Sequence, residues 1–409
     1  MSKTILHIDI NSYFATILQQ ENPYLRGKAV GVVKDIGRTC LIAVSKEAKL
    51  KGIVTGSRKA EALFKCPDLI TIPASFERYL DVTKRLQTIF KKISPVVQIY
   101  SLDEAFVDIS DCRKILYPNS QEISRKVQNL IKSELGNWVT CNIGIAENKL
   151  LAKMASEVAP KGSVMEVTDD NKDVLLATTK FSDVCGVGYA LSKKLARLNI
   201  FTPYQIRFFS QEDLEIIVGS FWAKELMKIA YGEETHLLEL VDKEQKHMKS
   251  VGRSITGYRL YDDDKEMKNI LHNLCLEIVH KVRKMNLCGR QVWIGLNGSN
   301  QYWSKHITLK TPINSSNELI CEIDKLYSDW KDKFKVIKFA VRLSLLKTNI
   351  QNQLLPSWQK NELIQTALDS LNEKYGIFTI HPASIPPRKE LIYPEVTGFL
   401  GDKLYQLKD

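Results

Sequence analysis

At the centre of this sequence lies the stretch Val96-Val97-Gln98-Ile99-Tyr100-Ser101-Leu102-Asp103-Glu104-Ala105-Phe106-Val107-Asp108-Ile109. Two runs rich in β-branched and aromatic residues flank a short polar turn, and this pattern predicts a β-hairpin. Two adjacent carboxylates, Asp103 and Glu104, lie at the turn between apolar neighbours. A solvated turn acid is the ordinary explanation for such a pair, so the hairpin alone does not predict any chemistry.

A second acid, far upstream, changes this interpretation. The run Thr4-Ile5-Leu6-His7-Ile8-Asp9-Ile10 is nearly continuous in apolar residues, which is typical of a strand covered on both faces. An ionised carboxylate at Asp9 must therefore be paired or bind a metal. Asp9 on one strand and Asp103 and Glu104 on a neighbouring hairpin can converge on divalent cations. Such hard oxygen ligands suit Mg²⁺, which completes its shell with water and substrate phosphates.

The composition favours an acidic partner. The chain has 409 residues, enough for two to four domains, and a formal net charge of +11. From Lys246 to Leu346 there are 18 basic and 10 acidic side chains, so +8 of this surplus lies in one quarter of the chain. Such a concentration is more typical of a nucleic-acid-binding surface than of a diffuse surplus that only aids solubility.

The cysteines and the apolar runs indicate where the protein works. Its eight cysteines are scattered without a C-x-x-C spacing, which argues against a zinc site and for reduced thiols inside a cell. The N-terminus lacks the basic and apolar regions of a signal peptide. No apolar run approaches the roughly 20 residues that a membrane-spanning helix requires. We therefore expect a soluble, cytoplasmic protein with no membrane partner.

Hydrophobic periodicity gives the order of the elements. Setting aside residues of about 25 to 75 leaves strand, helix, hairpin, helix and strand, which is the order of a ferredoxin-like sheet. Asn11 or Ser12 can cap the first helix. A compact helical region follows up to about residue 240. The next hundred residues repeat the strand, helix, hairpin, helix, strand order, and from Asn349 the pattern loosens, with one further helix over Asn361 to Tyr375.

Two motifs resemble the catalytic motifs of the Y-family translesion DNA polymerases, of the DinB and UmuC type seen in bacterial polymerases IV and V. They are Asp9-Ile10-Asn11-Ser12-Tyr13-Phe14-Ala15 and Tyr100-Ser101-Leu102-Asp103-Glu104-Ala105. The resemblance implies an α+β right-hand polymerase with a ferredoxin-like palm, inserted fingers, a helical thumb and a C-terminal α/β little finger. The implied domains are a palm (1–165, fingers inserted at about 25–75), a thumb with a helix-hairpin-helix (166–240), a little finger (246–346) and a tail (347–409).

The implied activity is error-prone, DNA-templated DNA synthesis by two-metal-ion nucleotidyl transfer on damaged DNA. By resemblance, Asp9, Asp103 and Glu104 are the catalytic carboxylates, and together with the Ile10 carbonyl they hold two Mg²⁺ ions, with Mn²⁺ as an alternative ion. Asp108 and Asp111, just beyond, are expected to be structural. The implied substrates are primer–template DNA and deoxynucleoside triphosphates.

The resemblance also assigns the nucleotide-binding residues. It assigns Tyr13 and Phe14 to the nucleotide and places Phe14 under the incoming sugar, where its bulk excludes a 2′-hydroxyl; a core aromatic is the alternative for both. Ile42 and Ala43 are expected over the nascent base pair. Lys46, Lys49 and Lys161 are expected on the triphosphate, although many family members have Tyr and Arg in place of Lys46 and Lys49, and the lysine usually precedes the proline rather than following it as Lys161 does. Lysine binds phosphate as a point charge, without the bidentate geometry of arginine.

Six residues are predicted to contact the DNA backbone. Gly186 and Gly188 resemble the turn of a helix-hairpin-helix, whose backbone amides can bind a phosphate, whereas a G-x-G alone is often a simple turn. Lys249 and Arg253 lie in the basic segment that joins thumb and little finger. Lys338 and Arg342 alternate with Ile337, Phe339, Val341, Leu343 and Leu345, which are predicted to face the core. A solvated sheet face is the alternative to a phosphate-binding surface here.

Three further questions stay open at this point. The segment from Gln353 to Trp358 lies where bacterial relatives have a sliding-clamp peptide, but Pro356 and Trp358 depart from the usual pattern, so a plain linker is equally compatible. The chain is expected to be a monomer, of either the polymerase IV-like or the UmuC-like branch. A non-catalytic DNA-binding scaffold and a nucleotidyl cyclase are the alternative functions. Retention of all three acids argues against the scaffold, and the basic C-terminal region has no place in a cyclase.

Overall fold

The computed structural model describes residues 3–33, 40–111, 119–239, 248–348, 356–376 and 378–383. These residues form two compact units, the first ending at residue 239 and the second beginning at residue 248. Within these ranges, none of the helices combines the length and the apolar composition needed to cross a bilayer.

The first unit contains eight strands and eleven α-helices among its described residues. The strands are β1 (Ile5–Ile10), β2 (Val30–Val33), β3 (Leu41–Val44), β4 (Ile70–Pro73), β5 (Val97–Ile99), β6 (Glu104–Asp108), β7 (Cys141–Ala146) and β8 (Val164–Glu166). The helices are α1 (Tyr13–Glu21), α2 (Lys46–Leu50), α3 (Lys59–Lys65), α4 (Phe76–Lys91), α5 (Ser120–Leu135), α6 (Lys149–Val158), α7 (Asp169–Thr178), α8 (Tyr189–Ala196), α9 (Gln211–Val218), α10 (Ser220–Tyr231) and α11 (His236–Glu239).

The central sheet confirms the predicted α+β fold with a ferredoxin-like palm. Its strand order is β5-β6-β1-β7-β8. The first four strands are antiparallel neighbours, as in a β-α-β-β-α-β sheet, and β8 adds a parallel edge. Helices α4 and α5 cover one face because their apolar residues repeat at helical spacing, for example Leu86 and Phe90 on α4 and Val127 and Ile131 on α5. Helix α6 and the following helices cover the other face.

Side-chain caps mark the starts of several helices in the first unit. The side chains of Ser45, Asn119 and Asn148 each accept a hydrogen bond from a backbone amide in the first turn of α2, α5 and α6. The prediction that Ser12 caps α1 was wrong. Ser12 has a left-handed backbone (φ 50°) instead of the extended backbone of a cap, and its hydroxyl accepts a hydrogen bond from Nζ of Lys49 at 2.9 Å.

A second small sheet forms between α1 and α4. Its order is β3-β2-β4, with β2 and β3 antiparallel and β2 and β4 parallel. Leu41, Ile53 and Leu69 belong to its own apolar cluster. These strands lie within the region that the sequence set aside as an insert. Beyond the central sheet, α7 to α11 pack around Phe181, Leu195 and Leu226.

The second unit has the strands β9 (Ser250–Tyr261), β10 (Leu287–Asn297), β11 (Tyr302–Ile313), β12 (Val336–Ser344) and β13 (Lys347–Thr348), with the helices α12 (Asp264–Lys284), α13 (Ser316–Ser328) and α14 (Pro356–Tyr375). The sheet order is β11-β10-β12-β9, all antiparallel. Helices α12 and α13 cover one face of this sheet. Phe339, Val341 and Leu343 point into that core as predicted.

Two details of β12 differ from the predicted alternation. Leu345 is 48% exposed and has a positive φ of 53°, because the strand has already ended at Ser344. Ile337 lies at a register shift between Val336 and Lys338, and it is only half-buried. The extra residues of this shift lie on β9, between Thr256 and Tyr261, so the pairing of β12 with β9 is irregular at Ile337.

The sequence treated residues from 347 onward as a separate tail, but the structure packs much of this segment on the second unit. Lys347 and Thr348 pair with β10. Asp369 on α14 accepts two hydrogen bonds from Arg283 of α12, at 2.6 and 2.7 Å, and Phe378 is buried in the core of the unit. Of the predicted clamp peptide, residues 353–355 lie outside the described residues, as do the tail segments from 384 onward.

Candidate active site

The pairing of β1 with β6 brings the predicted catalytic carboxylates to one edge of the central sheet. Asp9, near the end of β1, lies directly opposite Glu104 at the start of β6. Asp103 precedes Glu104, and its backbone carbonyl accepts a hydrogen bond from the Ile10 amide at 2.9 Å. The hairpin turn is thereby tied to the end of β1. Asp9 and Glu104 are about a hundred residues apart in the sequence, and the antiparallel pairing of β1 with β6 brings them together.

The electrostatics of this edge reflect crowded negative charge. Burial, together with the neighbouring charges of Glu104 and Asp103, raises the pKa of Asp9 to about 7. Burial also raises the pKa of Asp103, although a hydrogen bond from the Ser101 hydroxyl opposes the shift. A cation between these groups would relieve their repulsion.

Glu104 differs from the other two acids because it has cationic and polar partners. Burial disfavours its ionisation, but His7 and the ammonium group of Lys153 outweigh this effect and lower the pKa of Glu104 to about 2. Nζ of Lys153 lies 2.8 Å from Oε2 of Glu104 and 3.0 Å from Oε1 of Glu157, and the lysine side chain is only 8% exposed. Nε2 of His7 lies 3.5 Å from the same Glu104 oxygen. Burial lowers the pKa of His7 to about 4, so this ring is neutral at pH 7.

The donor set fits a hard divalent cation. Among the described residues, no hydrogen bond reaches the Asp9 carboxylate, Oδ2 of Asp103 or Oε1 of Glu104. No group of three or more His, Cys, Asp or Glu side chains in the described ranges is already arranged as a complete metal site. Oδ1 of Asp103 is hydrogen-bonded to Ser101, and Oε2 of Glu104 to Lys153. The oxygens that remain are of the type that Mg²⁺ prefers.

The crowding at Asp9 predicts a stability effect that depends on pH and on metal. In metal-free protein, Asp9 ionises at a pH near 7 in the folded state and near 3.8 when unfolded. Ionisation therefore favours unfolding, and stability falls as the pH rises through this window. We expect Asp9→Asn to be more stable than wild type at pH 8 in EDTA, by up to about 4 kcal/mol, since one pKa unit corresponds to about 1.4 kcal/mol.

Urea unfolding at pH 4 and pH 8, with EDTA or with Mg²⁺, measures this effect. The advantage of Asp9→Asn should vanish at pH 4, and Mg²⁺ at pH 8 should stabilise wild type but not the variant. Asp111→Asn, which removes an exposed carboxylate just beyond β6, is the matched control and should follow wild type. An Asp9→Asn advantage that is the same at both pH values would contradict the crowding.

The aromatic residues after Asp9 take different positions. Tyr13 is only 3% exposed, and its hydroxyl donates to the Tyr79 carbonyl at 2.6 Å. This burial places Tyr13 in the core and leaves its side chain no surface for a nucleotide, contrary to the expectation of a nucleotide contact. Phe14 is half-buried, and its ring lies 4.3 Å from that of Tyr79. Phe14 packs in the same apolar cluster as Ile42 and Ala43 of β3, so the structure brings these three predicted residues together.

Two of the three predicted phosphate-binding lysines lie near the acids. The pKa of Lys49 is lowered by burial and by the charge of Lys161, whereas Asp9 raises it. Lys161 in turn acts on the pKa of Asp9, so the three charges are neighbours. Lys46 is exposed at the start of α2, one turn before Lys49. Adjacent positive and negative charge is the arrangement required to bind a nucleotide triphosphate together with its metal.

Sequence reasoning missed two polar residues beneath the site. Lys153 was not singled out, although it stands among apolar residues in Leu150-Leu151-Ala152-Lys153-Met154-Ala155. His7 was likewise overlooked inside the apolar run of β1; its Nδ1 lies 2.6 Å from Oγ of Ser156, one turn beyond Lys153 on α6. A charged residue within a buried helix face was the available signal.

The predicted DNA contacts are only partly grouped by the structure. Gly186 has a positive φ of 87°, and Gly188 precedes the first residue of α8. In the second unit, Lys249, Lys338 and Arg342 are exposed. Arg253 lies opposite the buried Val341, on the helix-covered face, and its Nε donates to Glu277 at 2.9 Å. Arg253 therefore does not share a surface with Lys338 and Arg342, because neighbouring residues of a strand alternate between faces.

Two family models match this chain. Residues 8–157 match the impB/mucB/samB family, and residues 248–355 match the C-terminal domain of the same family. A DNA polymerase IV of Pelotomaculum thermopropionicum is 30% identical over 392 residues, which cover 92% of this chain and 94% of that protein. DNA polymerase IV 2 of Bacillus subtilis is 26% identical over 396 residues, covering 91% of this chain and 92% of that protein.

Solved structures share the fold. A Y-family DNA polymerase chimera of Dbh and Dpo4 superposes with a TM-score of 0.72 at 21% identity, covering 85% of this chain and all of that one. An insertion ternary complex of Dbh DNA polymerase superposes with a TM-score of 0.54 at 21% identity, covering 83% of this chain and 98% of that one. At 21% identity these two structures support the fold, and the chemistry has to be argued from the residues described above.

Proposed function

We propose that this chain, which belongs to the Y family of DNA polymerases, is an error-prone, DNA-templated DNA polymerase that performs translesion synthesis by two-metal-ion nucleotidyl transfer. One observation carries the assignment of the chemistry to particular residues. Asp9, Asp103 and Glu104 meet at one edge of the palm sheet with carboxylate oxygens that the described protein does not use. Lys49 and Lys161, suited to phosphate, lie beside them.

In this proposal the acids hold divalent ions. Asp9, Asp103, the Ile10 carbonyl and Oε1 of Glu104 would hold these ions. When bound, a pair of Mg²⁺ ions, or of Mn²⁺ as an alternative, lowers the pKa of the primer 3′-hydroxyl and neutralises the leaving pyrophosphate. Lys153 engages the other Glu104 oxygen and keeps this carboxylate ionised in its buried position.

The incoming nucleotide is assigned to the neighbouring surface. Lys49 and Lys161 bind the triphosphate, with Lys46 at the start of α2 as a further cation. The hydrogen bond from Lys49 to Ser12 holds the ammonium group next to the start of α1. Phe14 lies under the deoxyribose, supported by Tyr79, and Ile42 and Ala43 cover the nascent base pair.

DNA binding is assigned to two regions. The backbone amides around Gly186 and Gly188 at the start of α8 are suited to a phosphate of one strand. In the second unit, Lys338 and Arg342 lie on the uncovered face of the sheet, and no acidic side chain in the described ranges pairs with either. Contacts from such a face go to phosphates and carry no sequence information, which suits a polymerase that must accept any sequence.

Neutralising this face should alter the salt dependence of binding. We expect Lys338→Gln with Arg342→Gln to weaken binding to duplexes of any sequence and to reduce the slope of log K against log salt by about 1 for each lost phosphate contact. Fluorescence anisotropy over a range of salt concentrations gives this slope. Lys305→Gln, which removes a lysine paired with Asp329, is the matched control and should leave the slope unchanged. An unchanged slope in the double variant would show that this face is an ordinary solvated surface.

A primer-extension assay with labelled primer–template, four deoxynucleotides and Mg²⁺ tests the proposed function. The proposal requires extension of the primer. Absence of any product would favour the scaffold, and a cyclic nucleotide as product would favour the cyclase. From the sequence we further propose that the protein works as a monomer in the cytoplasm. Contact of Gln353 to Trp358 with a sliding clamp stays a prediction.

A further inference from the structure

Trp293 and Gly295 of β10 and Arg342 of β12 form a stack on the uncovered face of the second sheet. Trp293 lies directly opposite Arg342 across the two strands. The central guanidinium carbon of Arg342 is 4.9 Å from the centroid of the indole ring. A Cβ atom at Gly295 would lie 2.2 Å from Cη2 of Trp293, so the indole extends along its own strand over a position that has to be glycine.

Among the described neighbours of Arg342, the Trp293 indole is the group that can orient its guanidinium. Across the sheet on the other side, its direct neighbour is Gly252 of β9, which has no side chain to compete for the guanidinium. Within the described ranges Arg342 forms no ion pair. The strand registers also give this face no carboxylate. Its members are Ser250, Gly252, Ser254, Thr256, Lys338, Ala340, Arg342, Ser344, Gln291, Trp293, Gly295, Asn297, Tyr302, Ser304, His306 and Thr308.

We propose that Trp293 is a positioning residue that holds the Arg342 guanidinium in place before DNA binds, so that its N–H edge is presented to a phosphate of the duplex. This inference rests on the proposed DNA-binding function. The face of an indole attracts a cation and leaves the donors at the guanidinium edge available. An arginine fixed in advance loses less side-chain entropy when it binds a phosphate. Gly295 is part of this arrangement, because a larger residue at this position would displace the indole.

The inference predicts a specific pattern in equilibrium binding to duplex DNA. Trp293→Ala should weaken binding by about two- to fivefold, the range expected for an exposed cation–π contact, without changing the salt slope because no charge is lost. Trp293→Phe should restore most of the affinity. Gly295→Ala, which keeps the indole but displaces it, should resemble Trp293→Ala. Lys305→Gln, at the neighbouring position of β11 on the opposite face and paired with Asp329, is the control. Thermal unfolding of each variant checks that the sheet is intact.

A double-mutant cycle with Arg342→Gln decides whether the indole acts through the arginine. The inference requires that Trp293→Ala has no further effect on affinity once Arg342 is replaced. An equal loss in both backgrounds would overturn it, since the indole would then contact DNA itself. A loss from Arg342→Gln with none from Trp293→Ala would also overturn it, while leaving the proposed function intact. If neither variant weakens binding, the face is not a DNA interface; this inference and the assignment of Lys338 and Arg342 to phosphate contacts then both fall, whereas primer extension tests the polymerase activity separately.

Discussion

Replacing Asp103 by Ala should reduce primer extension by more than about 100-fold, because bound metal ions supply several kcal/mol of transition-state stabilisation and each 1.4 kcal/mol corresponds to a factor of ten. DNA affinity should stay near that of wild type, since the proposed phosphate contacts involve Gly186, Gly188, Lys338 and Arg342. Single-turnover incorporation and anisotropy measure the two quantities separately.

Asp111→Ala is the control for this experiment. Asp111 is an exposed carboxylate shortly after β6, and the structure gives it no role at the edge of the sheet. It should extend primers like wild type. Extension by Asp103→Ala at a rate comparable to that of Asp111→Ala would show that the ions are held elsewhere.

The second large effect concerns the choice of sugar. Phe14→Ala should raise the ribonucleotide-to-deoxyribonucleotide ratio of kcat/KM by on the order of 10- to 200-fold, the range over which a small steric difference in a pocket discriminates. The physical reason is that removing the ring opens space for a 2′-hydroxyl. Phe14 is half-buried, so its loss should also cost less than the roughly 3–5 kcal/mol typical of fully buried aromatic residues.

Phe90→Ala separates selectivity from packing. Phe90 is 2% exposed in the palm core, on helix α4. Phe90→Ala should lower the free energy of unfolding more than Phe14→Ala does. It should leave the ribonucleotide-to-deoxyribonucleotide ratio of kcat/KM unchanged. A ratio for Phe14→Ala equal to that of wild type would make Phe14 a packing residue only.

Much of the fold followed from local patterns in the sequence. The hairpin around Asp103 and the helix that follows it in the predicted order, Ser120–Leu135 in the structure, were predicted because apolar periodicity and turn residues agree there. That Asp9 can converge with the hairpin acids was predicted from one physical rule, that a carboxylate in a covered strand needs a partner or a metal, and the structure places it opposite Glu104. Wherever local pattern and burial pointed the same way, the sequence was sufficient.

The remaining features depend on tertiary contacts. Lysine is a residue type usually found at the surface, and Lys153 is buried with its ammonium group between Glu104, 49 residues away in sequence, and Glu157, one turn further along α6. Arg253 was assigned to a DNA-binding surface by its charge, but the register of β9 turns it toward Glu277. The left-handed backbone of Ser12 likewise reflects its contact with Lys49, 37 residues away.

The central claim is that the carboxylates at the edge of the palm sheet support metal-dependent, templated nucleotidyl transfer. Single-nucleotide incorporation by the wild-type chain, measured with four templates that differ in the templating base and with either Mg²⁺ or EDTA, tests it most directly. We expect faster incorporation of the complementary nucleotide on each template, and no incorporation in EDTA. Incorporation that ignores the template base, or that persists in EDTA, would contradict it.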